Sequence, residues 1–467
     1  MDEVLTASAT EQARLIRARQ IGSVELVEAH LAQIERTDAT IHAVAELLAD
    51  RALAEARTAD SSELRGPFHG VPFSIKDSIE LAGTVCTAGT VGRRGAPAST
   101  QDAVLVARLR AAGAIPMART NLPDLLFAFE TDNLLFGRTN NPYDPARTPG
   151  GSSGGEAALI AACGSPMGLG SDCAGSVRVP AAFCGIASLK PTSGCLPRRG
   201  HFPPEGGWIS ALWQIGPMAR RVEDLQTMMR VMALEPPFGG PAVAQPRIAF
   251  YADDAREDVA GVVRAAAAAL GAVEDRPCCL DGAYDLEMKL LGADGGDSLR
   301  AYLASLGSTE LHPLLTGWLD KLEAYRTDLA GLQAYWADWD RYRARMADFL
   351  LRYDAIVCPV YKEPALLHGT SIEEANFRSF SHTMAYNLAG LPAAVVRCGE
   401  SAEGLPIAVQ VVARPWRDDV ALMLAARLER EFGGWKPSRR ADGWFLPSAG
   451  PDRPQKAMVC PTGMEGA

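Results

Sequence analysis

Residues 149–163 read PGGSSGGEAALIAAC, in which four glycines surround Ser152 and Ser153 and a run typical of a helix follows. Glycines at a helix N-terminus can present backbone N–H groups to a phosphate, but a Walker loop continues with Gly-Lys-Ser/Thr, where this chain has Glu156. The stretch also fits the G-x-S-x-G nucleophile elbow with Ser153 as the nucleophile, although that elbow follows a strand and this stretch follows a Pro-rich loop. A structural turn is the third interpretation, so the stretch alone leaves its role open.

A second serine lies in the stretch SDCAGSVRVPAAFCGIASLKPT, which begins at residue 171. Ser176 follows Cys173, Ala174 and Gly175, small residues that predict a turn whose backbone N–H groups converge on an oxyanion. Ser176 is therefore a candidate nucleophile. Cys173 is disfavoured in that role because no histidine pattern lies beside it.

A lysine lies on a predicted strand in the sequence HGVPFSIKD, which ends at Asp77. The pattern has period two, so Ser74 and Lys76 share one face of the strand while Phe73 and Ile75 lie on the other. Asp77 follows on the face opposite Lys76 and is interpreted as structural. The helical and strand patterns that follow predict a β-α-β arrangement and therefore an α/β fold.

The chain has 46 Lys and Arg residues against 56 Asp and Glu residues, a formal net charge of −10. This charge disfavours nucleic acid or an anionic membrane as a partner, so a small molecule is the expected partner. No apolar run approaches the ~20 residues that span a bilayer, and the N-terminal sequence has no signal-peptide pattern. We therefore expect a cytoplasmic protein with no membrane span.

The ten cysteines form no C-x-x-C pair, and the seven histidines form no H-E-x-x-H or comparable spacing. The cysteine pattern is typical of free thiols in a reducing compartment, and the histidine pattern disfavours a metal site. We therefore predict that the protein needs neither a metal ion nor an organic cofactor.

Four motifs occur in order along the chain: GVPFSIKD, PGGSSGGEAA, GSDCAGSVRVPAAFCGIASLKPT and QIGPMAR. With these motifs the chain resembles the amidase signature family, densely over residues 64–235 and more thinly to residue 416. The resemblance implies a Ser-Ser-Lys triad in which Ser176 is the nucleophile, Ser152 is a bridging serine on a cis peptide and Lys76 is the base. It also implies an oxyanion hole formed by the backbone N–H groups from Cys173 to Ser176.

The chemistry of these residue types supports the same triad. A serine hydroxyl becomes a good nucleophile only when a base takes its proton. A lysine can do this near neutral pH only if its pKa falls from ~10.4, and burial of Lys76 would have that effect. The positive N-terminal end of the helix after Ser153 would lower the pKa further.

The neighbours of these residues are expected to have supporting roles. Asp172 and Arg178 flank the turn and are expected to pair and hold it. Ser153 is expected to form hydrogen bonds within the site, and Glu156 is interpreted as a residue of the first helical turn rather than an acid catalyst. Lys190 is the second lysine near the turn, and it is interpreted as structural.

The resemblance also implies a fold: one α/β domain with a large mixed β-sheet flanked by helices on both faces. The N-terminal segment is predicted to be helical, including a helix over about 42–58. The predicted organisation is N-terminal helices in 1–63, a catalytic core in 64–235, a helical insertion that shapes the pocket in 236–350, strands and a helix in 351–446, and a tail in 447–467.

The substrate is an acyl compound whose identity the sequence leaves open. The stretches VQVVARPWRDD and LPDLLFAFETDNLLFG favour the fatty-acid-amide and general amidase branches, and therefore an apolar or aryl acyl group. Amides, anilides, aryl esters and carbamates (urethanes) are all open to the same triad. Trp213 stands where the amidotransferase branch has an acidic residue, and Ala174 stands where the family usually has glycine. An amidotransferase A-type subunit that needs partner chains and a non-catalytic member of the fold remain alternatives, and a homodimer is one possible assembly.

Overall fold

The computed structural model describes residues 2–204, 210–233 and 243–438 of the 467-residue chain. The predicted tail in 447–467 and the Pro/Gly-rich stretch in 234–242 lie outside the described residues. The strands are β1 (Val44–Leu47), β2 (Pro72–Lys76), β3 (Ile115–Thr120), β4 (Met167–Asp172), β5 (Ala187–Lys190), β6 (Gln214–Ala219), β7 (Ile248–Phe250), β8 (Val273–Glu274), β9 (Ala355–Pro359), β10 (Ala393–Glu400) and β11 (Pro406–Ala413).

The helices of the described residues surround these strands. They are α1 (Asp2–Thr6), α2 (Ala9–Arg17), α3 (Ser23–Ile41), α4 (Ala49–Ser61), α5 (Val104–Ala111), α6 (Gly154–Ala161), α7 (Arg178–Phe183), α8 (Val222–Met232), α9 (Glu257–Leu270), α10 (Ala283–Leu291), α11 (Asp297–Ser305), α12 (Pro313–Glu323), α13 (Leu329–Arg352), α14 (Glu374–Arg378), α15 (Ser381–Leu388) and α16 (Asp418–Phe432).

All eleven strands form one mixed sheet in the order β1-β3-β2-β4-β6-β5-β10-β11-β9-β7-β8. β2 is parallel to both β3 and β4, whereas β4, β6, β5, β10, β11 and β9 pair antiparallel in turn. Because the carboxyl ends of parallel neighbours meet at one edge of a sheet, Lys76 at the end of β2 and Asp172 at the end of β4 lie at the same edge.

Helices cover both faces of the sheet, which confirms the predicted architecture. On one face, Phe73 and Ile75 of β2 pack in a core with residues of α5, α8, α9 and α16. On the other face, Met218 of β6 and Val395 of β10 pack with residues of α3, α6 and α7. The period-two pattern of β2 therefore directs Ser74 and Lys76 away from the first core and towards α6.

The N-terminal segment differs from its prediction. The helix expected over about 42–58 is instead the strand β1 followed by α4. His42 adopts a left-handed conformation with φ 50° and ends α3, and Asp38 Oδ1 then accepts the N–H groups of Ala43 and Val44. Because α3 has ended, the residues of β1 pair antiparallel with the edge of β3. This tertiary contact overrides the helical propensity of the sequence.

Candidate active site

Lys76 lies at the centre of a cluster of serine hydroxyls. Its side chain is fully buried, and Nζ lies 2.6 Å from Ser152 Oγ, 3.0 Å from Ser153 Oγ and 3.2 Å from Ser171 Oγ. A buried ammonium or amine needs hydrogen-bond partners, and these three hydroxyls supply them. Ser171 was not anticipated from the sequence, because it belongs to the strand before the predicted turn.

The glycine-serine stretch brings two of these hydroxyls to the lysine. The peptide between Gly151 and Ser152 is cis, and α6 begins two residues later. A side chain at Gly151 would approach the backbone of Ala128 and Glu130 to 2.6 Å, so only glycine fits at this position. The N–H of Ser153 donates to Ser176 O over 3.1 Å, which joins this stretch to the second serine motif.

The turn that carries Ser176 is organised by Asp172, as expected from the sequence. The carboxylate pairs with Arg178, whose Nη2 and Nε donate to its two oxygens over 2.9 and 3.0 Å. It also accepts the N–H of Gly175 over 2.9 Å and that of Val177 over 3.1 Å. One of the four amides predicted to form an oxyanion hole, that of Gly175, is therefore bonded to Asp172 in this structure.

Helix α15 holds the same turn from the far end of the chain. Thr383 Oγ1 donates to Ala174 O over 2.6 Å. A side chain at Gly175 would lie 2.3 Å from Thr383 Oγ1. Asn387 Nδ2 donates to Asp172 over 2.9 Å. The roles of these two residues could not be predicted from the sequence, because an isolated Thr and an isolated Asn in a helix give no local signal for a contact more than 200 residues away.

The electrostatics of the site differ from residue to residue. Burial lowers the pKa of Lys76 well below its usual value, although the charges of Asp172 and Glu156 raise it in part. Burial would raise the pKa of Asp172, but the charge and hydrogen bonds of Arg178 outweigh it, so the pKa falls to about 2. Asp172 is thus an anion with a matching cation, while Lys76 has the lowered pKa that a base near neutral pH requires.

Glu156 and Lys190, which the sequence analysis placed outside the chemistry, are both fully buried. Glu156 lies in the first turn of α6, as expected, and its oxygens accept the hydroxyls of Ser74 and Thr120. Lys190 Nζ donates to the carbonyl of Pro191 over 2.9 Å, and within the described residues it contacts none of the site serines.

A cavity of about 310 Å³ opens beside the serines. Ser152, Ser171 and Ser176 line it, and Ser176 is 8% exposed. Most of the other residues that line the cavity are aliphatic or aromatic. They come from the segment before the glycine-serine stretch, from Trp213 and from helices α10 to α12. They are Leu126, Phe127, Phe129, Trp213, Leu291, Leu299, Trp318 and Leu322. Substrate can therefore reach Ser176, whereas Lys76 is reached through Ser152.

The structure brings the predicted catalytic residues to one place. Ser152 and Ser176 line the same cavity, and Lys76 bonds to Ser152. Within the described residues no hydrogen bond joins the hydroxyls of Ser152 and Ser176. Over that same part of the chain, no group of three or more His, Cys, Asp and Glu side chains is arranged to hold a metal ion, and no helix is long and apolar enough to cross a membrane.

The family model for Amidase matches residues 25–270 and 265–422 of the chain. The chain belongs to the amidase family. The resemblance inferred from the four motifs is therefore confirmed, and the protein is a hydrolase that cleaves amide C–N bonds.

Curated relatives extend over nearly the whole chain. Human fatty-acid amide hydrolase 2 is 30% identical over 93% of this chain and 90% of its own, and a putative amidase AmiB2 of Mycobacterium bovis is 34% identical over 92% and 98%. A glutamyl-tRNA(Gln) amidotransferase subunit of Chloroflexus aurantiacus is 32% identical over 93% and 98%. Among solved structures, a 6-aminohexanoate cyclic dimer hydrolase complexed with substrate shares the fold with a TM-score of 0.79 at 25% identity, over 92% of this chain and 97% of its own.

Proposed function

We propose that this amidase works through an acyl-enzyme on Ser176, with Ser152 as the proton relay and Lys76 as the base. The observation that carries the proposal is the 2.6 Å contact between Lys76 Nζ and Ser152 Oγ, beside a cavity lined by both serines. A lysine with a lowered pKa that contacts one serine of a cavity, with a second serine lining the same cavity, is an arrangement suited to nucleophilic catalysis.

In the proposed reaction, Ser176 Oγ attacks the amide carbonyl while its proton passes to Ser152 and the proton of Ser152 passes to Lys76. The oxyanion of the tetrahedral intermediate accepts hydrogen bonds from the backbone N–H groups of Cys173, Ala174 and Ser176. The N–H of Gly175 is not used, because it already donates to Asp172. The C–N bond then breaks as Lys76 returns the proton through Ser152 to the leaving amine. Water attacks the acyl-enzyme in the same way and releases the acid.

The proposed substrates have an apolar or aryl acyl group. The cavity walls support this, because they are mostly aliphatic and aromatic and because no Lys or Arg of the described residues lines them. A substrate with a carboxylate would leave that charge unpaired in the cavity. Anilides, aryl esters and carbamates present the same carbonyl to Ser176 and are proposed as further substrates.

An amidotransferase A-type subunit is the second candidate, supported by the relative from Chloroflexus aurantiacus. Such a protein would need partner chains for its full reaction. Trp213, which lines the cavity, stands where that branch has an acidic residue and speaks against the candidate. The isolated chain is therefore expected to hydrolyse a simple amide without partners.

The test is turnover of an apolar acyl p-nitroanilide by the purified chain, together with labelling by a fluorophosphonate. We expect turnover and a label on Ser176, and both should be lost in Ser176→Ala while the variant remains folded. A label on Ser153 would instead support the nucleophile elbow. Turnover that appears only after partner chains are added would support the amidotransferase.

A further inference from the structure

Glu156 occupies a socket built from three strands. One of its carboxylate oxygens accepts the hydroxyl of Ser74 on β2, and the other accepts that of Thr120 on β3 over 2.7 Å. On β4, a side chain at Gly168 would lie 1.7 Å from the carboxylate, so glycine is required there. The three strands thus provide two donors and the space for a carboxyl group.

This carboxyl group is costly to bury and has no cation of its own. Its side chain is fully buried, and in the described ranges no Lys, Arg or His forms an ion pair with it. Burial raises the pKa of Glu156 to about 7, against the lowering effect of its two hydroxyl donors and of Lys76. An apolar side chain in the same space would avoid the desolvation cost, so the position calls for a role beyond packing.

Glu156 acts electrostatically on the amine of Lys76, because the charge of each group shifts the pKa of the other. Ser74, which donates to the carboxylate, lies two residues before Lys76 on the same face of β2, and Thr120 is the register partner of Lys76 on β3. Other ionisable groups lie on the elements packed around Glu156 and Lys76. Asp172 on β4 pairs with Arg178 on α7, and Asp77 on β2 pairs with Arg119 on β3. Burial lowers the pKa of His201 well below its usual value, so this histidine is neutral. Both of those carboxylates already have an arginine, and Glu156 has none.

We propose that Glu156 is a positioning residue that acts through Lys76, by setting the pH range in which the lysine amine is neutral and can serve as the base. This inference rests on the proposed function, because it assumes that Lys76 is the base. A carboxylate beside the amine favours the cationic form of the amine. Removing the negative charge should therefore let the neutral amine persist to lower pH.

The test is the dependence of kcat/KM on pH, from about pH 5 to about pH 10, for an apolar acyl p-nitroanilide and the intact chain. In the wild type, activity falls on acidification as Lys76 is protonated. In Glu156→Gln the midpoint of this fall should move to lower pH by roughly one unit, the scale of a nearby buried charge. A midpoint that stays in place or moves to higher pH would overturn the proposal.

Two milder variants keep the test independent of folding. Ser74→Ala and Thr120→Val each remove one donor from the carboxylate, which makes the carboxyl easier to protonate. Both should move the midpoint in the same direction as Glu156→Gln but by less. If Glu156→Gln fails to fold and both milder variants keep the wild-type midpoint, the proposal is wrong.

Glu287→Gln is the matched control. Glu287, on α10, is also a fully buried carboxyl group without an ion pair among the described residues, but the charges that act on it are those of Asp172 and Arg178. Its replacement should leave the midpoint where it is in the wild type, and an equal shift would mean that any buried carboxyl has this effect.

Fluorophosphonate labelling distinguishes a failure of the positioning role of Glu156 from a failure of the proposed catalytic function. If the wild type is labelled at Ser176 and the midpoints do not move, the role of Glu156 is wrong and the triad stands. If the wild type neither turns over the amide nor takes the label, the proposed function and the inference both fall.

Discussion

Two lysines end strands of the same sheet that are separated by β4 and β6, and both are fully buried. Burial lowers the pKa of each, well below the usual value for Lys76 at the end of β2 and to about 7 for Lys190 at the end of β5. Their partners differ. Lys76 meets three serine hydroxyls, whereas Lys190 meets the carbonyl of Pro191. Both lysines are buried and have a lowered pKa, so the candidate for the base is identified by the groups that the amine contacts.

The largest expected effect is on Lys76→Ala. Loss of the base and of the proton for the leaving amine should reduce amide kcat/KM by roughly 10²–10⁴-fold. A matched activated ester should lose less, because its leaving group departs without a proton. Steady-state kinetics on a p-nitroanilide and a p-nitrophenyl ester with the same acyl group would measure both.

The control for this change is Lys190→Ala, in which amide activity should stay within about threefold of the wild type. The comparison between the two lysines would be broken if Lys190→Ala lost amide activity and Lys76→Ala kept it. In that case the base would be assigned to the wrong strand.

The next effect concerns the pH dependence of stability. The folded-state pKa of Lys190, about 7, lies below the unfolded value of ~10.4, so between these values only the unfolded chain binds the proton. The contribution of Lys190 to the free energy of unfolding is fully present above the unfolded pKa and is lost as pH falls towards 7. The stability of the wild type should therefore rise with pH over this window. Lys190→Met should flatten the rise by a few kcal/mol, on the order of the pKa difference. Urea unfolding at about pH 7 and about pH 9.5 would measure it.

An unchanged pH dependence in Lys190→Met would show that Lys190 keeps an ordinary pKa in the folded protein. The two buried lysines would then differ in pKa as well as in their partners. Only the pKa of Lys76 would be lowered, and burial by itself would not explain that lowering.

The smallest expected effect tests whether contacts also decide the Ser176 turn. Thr383→Val removes the hydroxyl that donates to Ala174 O and keeps the shape of the side chain. A lost hydrogen bond of ~1 kcal/mol should lower kcat about fivefold to tenfold, with KM little changed, because the turn orients the groups that meet the transition state. Thr58→Val, in which an exposed hydroxyl on α4 is lost far from the site, is the matched control. A wild-type kcat in Thr383→Val would mean that the turn holds its shape without the hydroxyl of Thr383.

Much of the fold and part of the site could be predicted from local patterns. The period-two alternation of β2 placed Lys76 opposite Phe73 and Ile75, and the structure confirms this placement. The cis peptide at Ser152 and the pairing of Asp172 with Arg178 agree with the sequence analysis. The catalytic roles of Lys76, Ser152 and Ser176 remain predictions.

Other features were missed for a common reason. Thr383 Oγ1 donates to Ala174 O across 209 residues, and Asn387 Nδ2 donates to Asp172 across 215 residues. β1 replaced part of a predicted helix because it found an edge of β3 to pair with. Each of these depends on a partner that is distant in the chain, and local periodicity has no information about such a partner.

By itself, the sequence indicated an α/β fold and the residue types that the chemistry requires, because periodicity and glycine placement are local properties of a chain. Its four motifs carried the resemblance to the family, and that resemblance implied the large mixed sheet. Only the tertiary structure decided that Ser171 joins the hydroxyls around Lys76, which of the four turn amides is already bonded, and that Glu156 lies near this lysine without an ion pair among the described residues. Those outcomes depend on distances between segments, on burial and on the resulting electrostatics, and these quantities exist only after the chain has packed.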